Sequence, residues 1–234
     1  MSSAPSPAPE EDPRFLTLAG VNGAAFRVCV LRQRILSLKA AEAVVGWRFS
    51  ALVIDAAGPV KVAALDWRDA EQVDHAVIEH AAGQLAAGSA PPLCILPASF
   101  STLSSTSGRR ALSGRLQEIT ESTERRVVLG AHGLAGVPAP RLAEVVAQIR
   151  PACAGVIAEV SSDRAELAAI GHCGFTGFLV RTQTAWSADP GQLARFQALT
   201  ELARGSAPLC MARGTEEDLP VLAAAGFTHA AVND

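Results

Sequence analysis

The sequence predicts one α/β domain, a TIM-like (β/α)8 barrel with an irregular first β/α unit. Eight short, nearly continuous apolar runs recur along the chain, as strands buried on both faces require. Segments with apolar residues at helical spacing separate most of them, which favours a closed parallel barrel over an open sheet. The length of 234 residues, 49% of them hydrophobic, suits a single large core.

In order along the chain, MSSAPSPAPEEDP (1–13) reads as a disordered lead, because proline, serine and acid leave little to bury. The domain is expected over 14–234. FRVCVL (Phe26–Leu31) reads as a strand, and the stretch on to VVGWRFSALVI (Val44–Ile54) reads as two strands joined without a full helix. Asp69–Ala87 places Val73, Val77, Ile78, Ala81 and Leu85 on one helical face, with Glu71, Asp74 and Glu79 off it. PLCILP (Pro92–Pro97) is the next strand, and STLSSTSG (Ser101–Gly108) reads as a polar loop. A helix over Arg109–Ser122 carries Leu112, Leu116 and Ile119, and leads to the strand RVVLGA (Arg126–Ala131).

Pro140–Ile149 is helical in pattern, and GVIAEV (Gly155–Val160) is a strand. Asp163 is placed to cap a helix ending at Ile170, with Glu166 at the capping-box position. TGFLV (Thr176–Val180), a helix over Pro190–Arg204, PLCMA (Pro208–Ala212) and THAAV (Thr228–Val232) complete the alternation. Thr215 is placed to cap the last helix, with Asp218 in its first turn and Gly226 as its stop.

Composition excludes several classes of function. The net charge is −3 with no basic block, so no nucleic-acid polymer is expected as a partner. No run approaches the roughly 20 apolar residues of a membrane span, and the N-terminus lacks the pattern of a signal peptide; the expected location is cytoplasmic, with no membrane insertion. Five widely spaced cysteines (Cys29, Cys94, Cys153, Cys173 and Cys210) argue against a disulfide framework or a CxxC metal site. His75 and His80 are five apart, the wrong spacing for shared ligation on a helix, so His132, after a strand, is the histidine to follow. The sequence contains neither a GxSxG elbow nor a GxGxxG or GxxxxGK[ST] fingerprint.

The order of segments resembles the EAL-type domain of cyclic-di-GMP phosphodiesterases from about Phe26 to the C-terminus. QRILSL (Gln33–Leu38) is similar to that family's QPIVDL, VVGWRFSAL (Val44–Leu52) lies where it has VVGxEAL, and DHAVIEHAAGQLAAG is similar to its LDxxVLxxAxxQL helix. PLCILPASFSTL follows as its xxVNLSxxxL does. IAEVSSDRAELAAIGHCGFTGFLVRT lies over DDFGTGYSSL to LKID with Leu167 in register, and MARGTEEDLPVLAAAGF is similar to AEGVET and the last helix.

The resemblance implies two divalent cations, held by carboxylates and amides at the strand ends, that activate water for phosphodiester cleavage. In this sequence the EAL glutamate falls on Arg48, or on Ser50 if the strand is shifted, and the asparagine on Pro97. The next acidic motif falls on Gly130–Gly133, and the paired aspartates on Ala158 and Glu159. The lysine and aspartate of LKID fall on Leu179 and Arg181, the AEG glutamate on Arg213, its second glutamate on Glu216, and the late glutamine near Ala231. Guanidinium groups cannot ligate Mg²⁺ and would repel it. The resemblance therefore implies a catalytically inactive EAL-like domain with no metal, cofactor or catalytic residue, in which Glu159 and Glu216 are residual acidic positions.

Such a domain is expected to act as a regulatory or scaffolding protein in or near cyclic-di-GMP signalling, with a protein partner that includes a second copy of itself. The alternative is a non-hydrolysing sensor of cyclic-di-GMP or another phosphate ligand, with Arg48, Arg181 and Arg213 as the anion-binding set. A third reading is a barrel enzyme of metal-free chemistry with His132 or Glu159 as general base.

Overall fold

The computed structural model describes residues 15–40, 43–87, 91–182 and 185–233. The expectation of disorder over 1–13 lies outside the described residues. Strand β1 (Phe15–Ala19) leads to a long hairpin of β2 (Ala25–Ser37) and β3 (Val44–Asp55), and β4 (Gly58–Val60) turns back along β3. From there strands and helices alternate: α1 (Trp67–Ala86), β5 (Leu93–Ser99), α2 (Phe100–Ser104), α3 (Thr106–Thr123), β6 (Arg126–His132), α4 (Ala139–Ile149), β7 (Gly155–Ser161) and α5 (Arg164–Ile170). The chain finishes with β8 (Gly177–Arg181), α6 (Pro190–Ser206), β9 (Leu209–Gly214), α7 (Leu219–Ala224) and β10 (His229–Asn233).

The sheet closes on itself. β3 and β5 through β10 run parallel in sequence order, and β2 bridges the ends by pairing antiparallel with both β3 and β10. The result is an eight-stranded barrel in which one strand, β2, is reversed, with β1 and β4 as antiparallel additions beside the outer halves of β2 and β3. The irregular first unit expected from the sequence is this hairpin.

Two apolar layers hold the barrel. Inside lie Ile35, Ile95, Val128, Ile157, Leu179, Met211 and Ala231, supplied by seven different strands, with Val45 of the eighth packed against them. Outside, the apolar faces of the helices cover the residues of opposite strand parity, such as Leu96, Leu129, Val156, Phe178 and Ala212. Each fully buried Leu, Ile or Val contributes about 1.5–3 kcal/mol relative to exposure, so closure is driven from both faces. Gly177 makes one tight approach possible: a Cβ there would stand 2.6 Å from Leu209 Cβ and 2.7 Å from the Leu209 carbonyl oxygen.

The structure corrects two local expectations. Ser101–Gly108 is not a loop: Ser99 caps α2 by accepting from Thr102 N at 3.3 Å, and Ser105 caps α3 by accepting from Gly108 N at 3.2 Å. Ser105, read as part of a flexible loop, is an N-cap, and so is Ser99 just before that stretch. Asp74 is not off the buried face of α1 but 2% exposed, because it shares the stripe of Ala70, Val77, Ile78 and Ala81 and meets the end of β5. Asp163 does cap α5, accepting from Ala165 N at 2.9 Å, yet Glu166 reaches past it to accept the backbone N–H and hydroxyl of Ser161. The Thr215–Asp218 box forms on the turn before α7, and Gly226 takes φ +89° beyond that helix.

Candidate functional site at the C-terminal mouth of the barrel

Side chains alternate along each strand, so two residues beyond each interior apolar residue the chain points inward again, nearer the mouth. From Ile157, Leu179, Met211 and Ala231 this rule reaches Glu159, Arg181, Arg213 and Asn233; from Ile35 on the reversed β2 it reaches Gln33. From Ile95 and Val128 it reaches Pro97 and Gly130, which offer no polar side chain. Arg48 enters the same layer, paired in register with Gln33.

These groups bond to one another. Arg48, only 3% exposed, donates from Nη1 to Gln33 Oε1 and from Nη2 to Glu159 Oε1. Gln33 Nε2 donates onward to Asn233 Oδ1 at 2.8 Å. The second oxygen of Glu159, itself 5% exposed, faces Arg181 Nε at 3.7 Å. Burial works to raise the Glu159 pKa, but the positive charges of Arg48, His132 and Arg181 outweigh it and hold the carboxyl below its ordinary range. Arg213 is exposed, and burial of part of its stem together with Arg48 and Arg181 lowers its pKa, with Glu159 opposing. Trp186 donates from Nε1 to the Arg213 carbonyl at 2.8 Å and packs on Phe196 and Phe227, with centroids 4.6 and 5.4 Å away.

A second polar cluster adjoins the first. Asp74 Oδ2 accepts from Ser99 N at 2.7 Å, Ser99 Oγ at 2.8 Å and Thr102 Oγ1 at 2.6 Å, while Asp74 Oδ1 faces His132 Nε2 at 3.6 Å. Burial disfavours the imidazolium, yet Asp74 and Glu159 overcome it, so the His132 pKa is raised. Ser99 bonds to the aspartate and not to the histidine, which leaves the cluster without the relay of a serine nucleophile.

Solved structures show which fold places these groups together. The Vibrio cholerae LapD S helix-GGDEF-EAL structure bound to c-di-GMP is similar over 88% of this chain and 52% of that one, with TM-score 0.64 and 16% identity. The Bacillus subtilis YkuI protein, with an EAL domain and in complex with substrate c-di-GMP and calcium, covers 87% of this chain and 52% of its own at TM-score 0.65 and 15% identity. The Xanthomonas citri FimX EAL domain in complex with c-diGMP covers 88% and 85% at TM-score 0.64 and 12% identity. The chain has the fold of an EAL domain. It spans about half the length of LapD and YkuI as solved (52% of each). No protein-family model matches the sequence, and no curated protein does either.

On this EAL-type barrel the residues singled out from sequence divide into two groups. Arg48, Glu159 and Arg181 meet in one ion-paired cluster, with Arg213 in its field. Ser50, the alternative to Arg48, lies farther from the interior layer, opposite Leu31. Glu216 stands apart: its side chain is 64% exposed and pairs with Arg34 at 2.5 Å. Sequence reasoning did not single out Gln33, Asn233 or Asp74 as members of the site. The strand period counted outward from Ile35 and Ala231 was the signal available for the first two.

The mouth does not fit the two divalent cations that the EAL resemblance implies. Among the described residues no group of three His, Cys, Asp or Glu side chains is placed so that it could hold a metal ion. The inward carboxylate, Glu159, has both oxygens directed to guanidinium groups. Magnesium requires near-octahedral oxygen donors, and cationic neighbours raise the cost of bringing it in. Among the described residues no helix is long and apolar enough to cross a membrane.

Proposed function

We propose that this chain is a catalytically inactive EAL-type domain that works by binding a protein, a second copy of itself included, as a regulatory or scaffolding component in or near cyclic-di-GMP signalling in the cytoplasm. One observation carries the reading: Glu159, the mouth carboxylate closest to a metal-ligand position in the resemblance, is occupied by Arg48 and Arg181. Metal-dependent hydrolysis needs that charge free for cations. The setting in cyclic-di-GMP signalling rests on the fold and on the similar EAL structures, several of which hold c-di-GMP.

The test is incubation of the purified chain with cyclic-di-GMP and Mg²⁺ or Mn²⁺, with product followed by chromatography. No turnover above the protein-free control is expected, and linear, enzyme-dependent product would overturn the reading. The exposure of Arg213, whose guanidinium has no ion pair among the described residues, favours a second reading as a non-hydrolysing sensor of cyclic-di-GMP or another phosphate ligand. Calorimetry with cyclic-di-GMP in the absence of metal separates the two. Saturable micromolar binding lost in Arg213→Gln supports the sensor, and no heat of binding supports the protein-binding role.

A further inference from the structure

Beside the mouth lies a cleft of about 610 Å³, walled by the β7–α5 turn, the end of β8 and one stripe of α6. Its volume falls within the roughly 300–1,000 Å³ typical of small-molecule sites. Three guanidinium groups line it, Arg164, Arg181 and Arg195, against one carboxylate, Asp163. That carboxylate already serves as the cap of α5, accepting from Ala165 N at 2.9 Å. Among the described residues Arg181 pairs with one carboxylate, Glu159 in the mouth at 3.7 Å, and its side chain is 47% exposed. Arg164 and Arg195 have no ion pair among the described residues. Surface arginines are normally interspersed with acids. Here three of them converge on a concavity, where the low-dielectric walls concentrate their field.

A second, independent feature points to the ligand's other end. Gln192 shares the cleft-facing stripe of α6 with Arg195, and Phe196 and Leu199 form the apolar floor beneath them. Its Oε1 is shielded from solvent yet accepts no hydrogen bond among the described residues. A buried acceptor without a donor has given up its hydrogen bonds to water and gained none in return. A hydroxyl or amine of a bound molecule would supply that donor.

We propose that this cleft binds a phosphate monoester with a hydroxyl-bearing body, a sugar phosphate or a nucleotide. The arginines hold the phosphoryl oxygens in bidentate fashion, Gln192 accepts from a body hydroxyl, and the body rests on the floor of Phe196 and Leu199. The site is separate from the mouth layer of Gln33, Arg48 and Glu159. It shares only Arg181 with that layer, so the outcome here is independent of the protein-binding reading.

Calorimetry of the full chain with inorganic phosphate, ribose 5-phosphate and adenosine 5′-monophosphate tests the proposal. At least one ester is expected to bind with 1:1 stoichiometry, about tenfold or more tighter than inorganic phosphate, and to weaken as salt is raised. Tighter binding of the nucleotide than of ribose 5-phosphate assigns a nucleotide site; equal binding assigns a sugar-phosphate site. The double variant Arg164→Gln/Arg195→Gln should lose about tenfold or more in affinity, since each charge-assisted bond is worth about 1.5–3 kcal/mol. Both side chains are exposed, so its thermal melt should match the parent. Gln192→Leu should keep phosphate binding and lose the preference for the esters. Absence of saturable binding, binding unchanged in the double variant, or loss of binding only in Arg213→Gln would overturn the proposal.

Discussion

Replacing Glu159 by glutamine removes the one charge that compensates Arg48 in the interior. Arg48 is 3% exposed and Glu159 5%, so both are out of water, and Gln33 is the other acceptor of the Arg48 fork among the described residues. Breaking such a pair by removing one partner costs about 3–5 kcal/mol, because the cation stays buried. Arg181, with a side chain 47% exposed, keeps its water and adds little. Against the roughly 5–15 kcal/mol of a typical domain this is a large fraction. At about 2–4 °C per kcal/mol for a chain of this size, the melting point of Glu159→Gln should fall by about 6–20 °C.

Urea unfolding at pH 7 measures the loss directly, and the paired variant Arg48→Met/Glu159→Leu isolates its cause. With both charges gone the double variant should recover most of the stability or exceed the parent. The acid limb provides a second readout. Because the Glu159 pKa is depressed in the folded chain, its contribution is complete above the ordinary glutamate pKa of about 4.3 and is lost as pH falls through the depressed value. Glu159→Gln should lack that portion of the acid transition. A cost below about 1 kcal/mol for the single variant would mean that Arg48 is solvated and that the mouth carboxylate is open to a metal after all.

Two further outcomes follow from the same geometry. The raised pKa of His132 makes its pairing with Asp74 stabilising in full below the ordinary histidine value of about 6.5, and lost as pH rises through the raised value. His229 titrates in the opposite sense, so the readout is the difference between parent and His132→Gln. The advantage of the parent in urea midpoint should shrink as pH rises above about 6.5, and a constant difference would refute the pairing. Gly177→Ala forces a Cβ to within 2.7 Å of the Leu209 carbonyl, which belongs to the neighbouring strand and cannot swing aside as a side chain can. A loss of about 1–3 kcal/mol in urea unfolding is expected, and a loss under about 0.5 kcal/mol would show that β8 and β9 are not so close.

The eight barrel strands were legible because burial on both faces leaves a near-continuous apolar run that needs no knowledge of the partner strand. β1 and β4 were not, for the converse reason. FLTLA is exposed at three of its five positions and GPV is three residues long, so each is a strand only by pairing with the long hairpin. Asp74 was misplaced because its carboxylate reads as a solvent group until the donors of Ser99 and Thr102 arrive from β5 and α2. Local pattern settles such an element or residue only where its surroundings are settled locally.

The mouth follows the same logic at the level of charge. The resemblance sets Arg48, Arg181 and Arg213 at positions where it implies oxygen donors, but a list of cations does not distinguish a ligand site from a structural one. The register does. It brings Gln33 opposite Arg48 and Leu179 opposite Glu159, so Arg48 is directed inward to a carboxylate, while Arg213 at the β9 end stays exposed. Both Nη atoms of Arg48 are bonded in the interior, to Gln33 and Glu159, so under the sensor reading Arg213 is the exposed guanidinium at the mouth. Across β8, on the flank, Arg164 and Arg195 face an open cleft whose carboxylate, Asp163, is engaged as the cap of α5, and neither has an ion pair among the described residues. Among the described residues Arg48 is thus neutralised inside the barrel, while Arg213 at the mouth and Arg164 and Arg195 on the flank have no ion pair. If this domain meets a phosphate, the electrostatics place the encounter at the flank before the mouth.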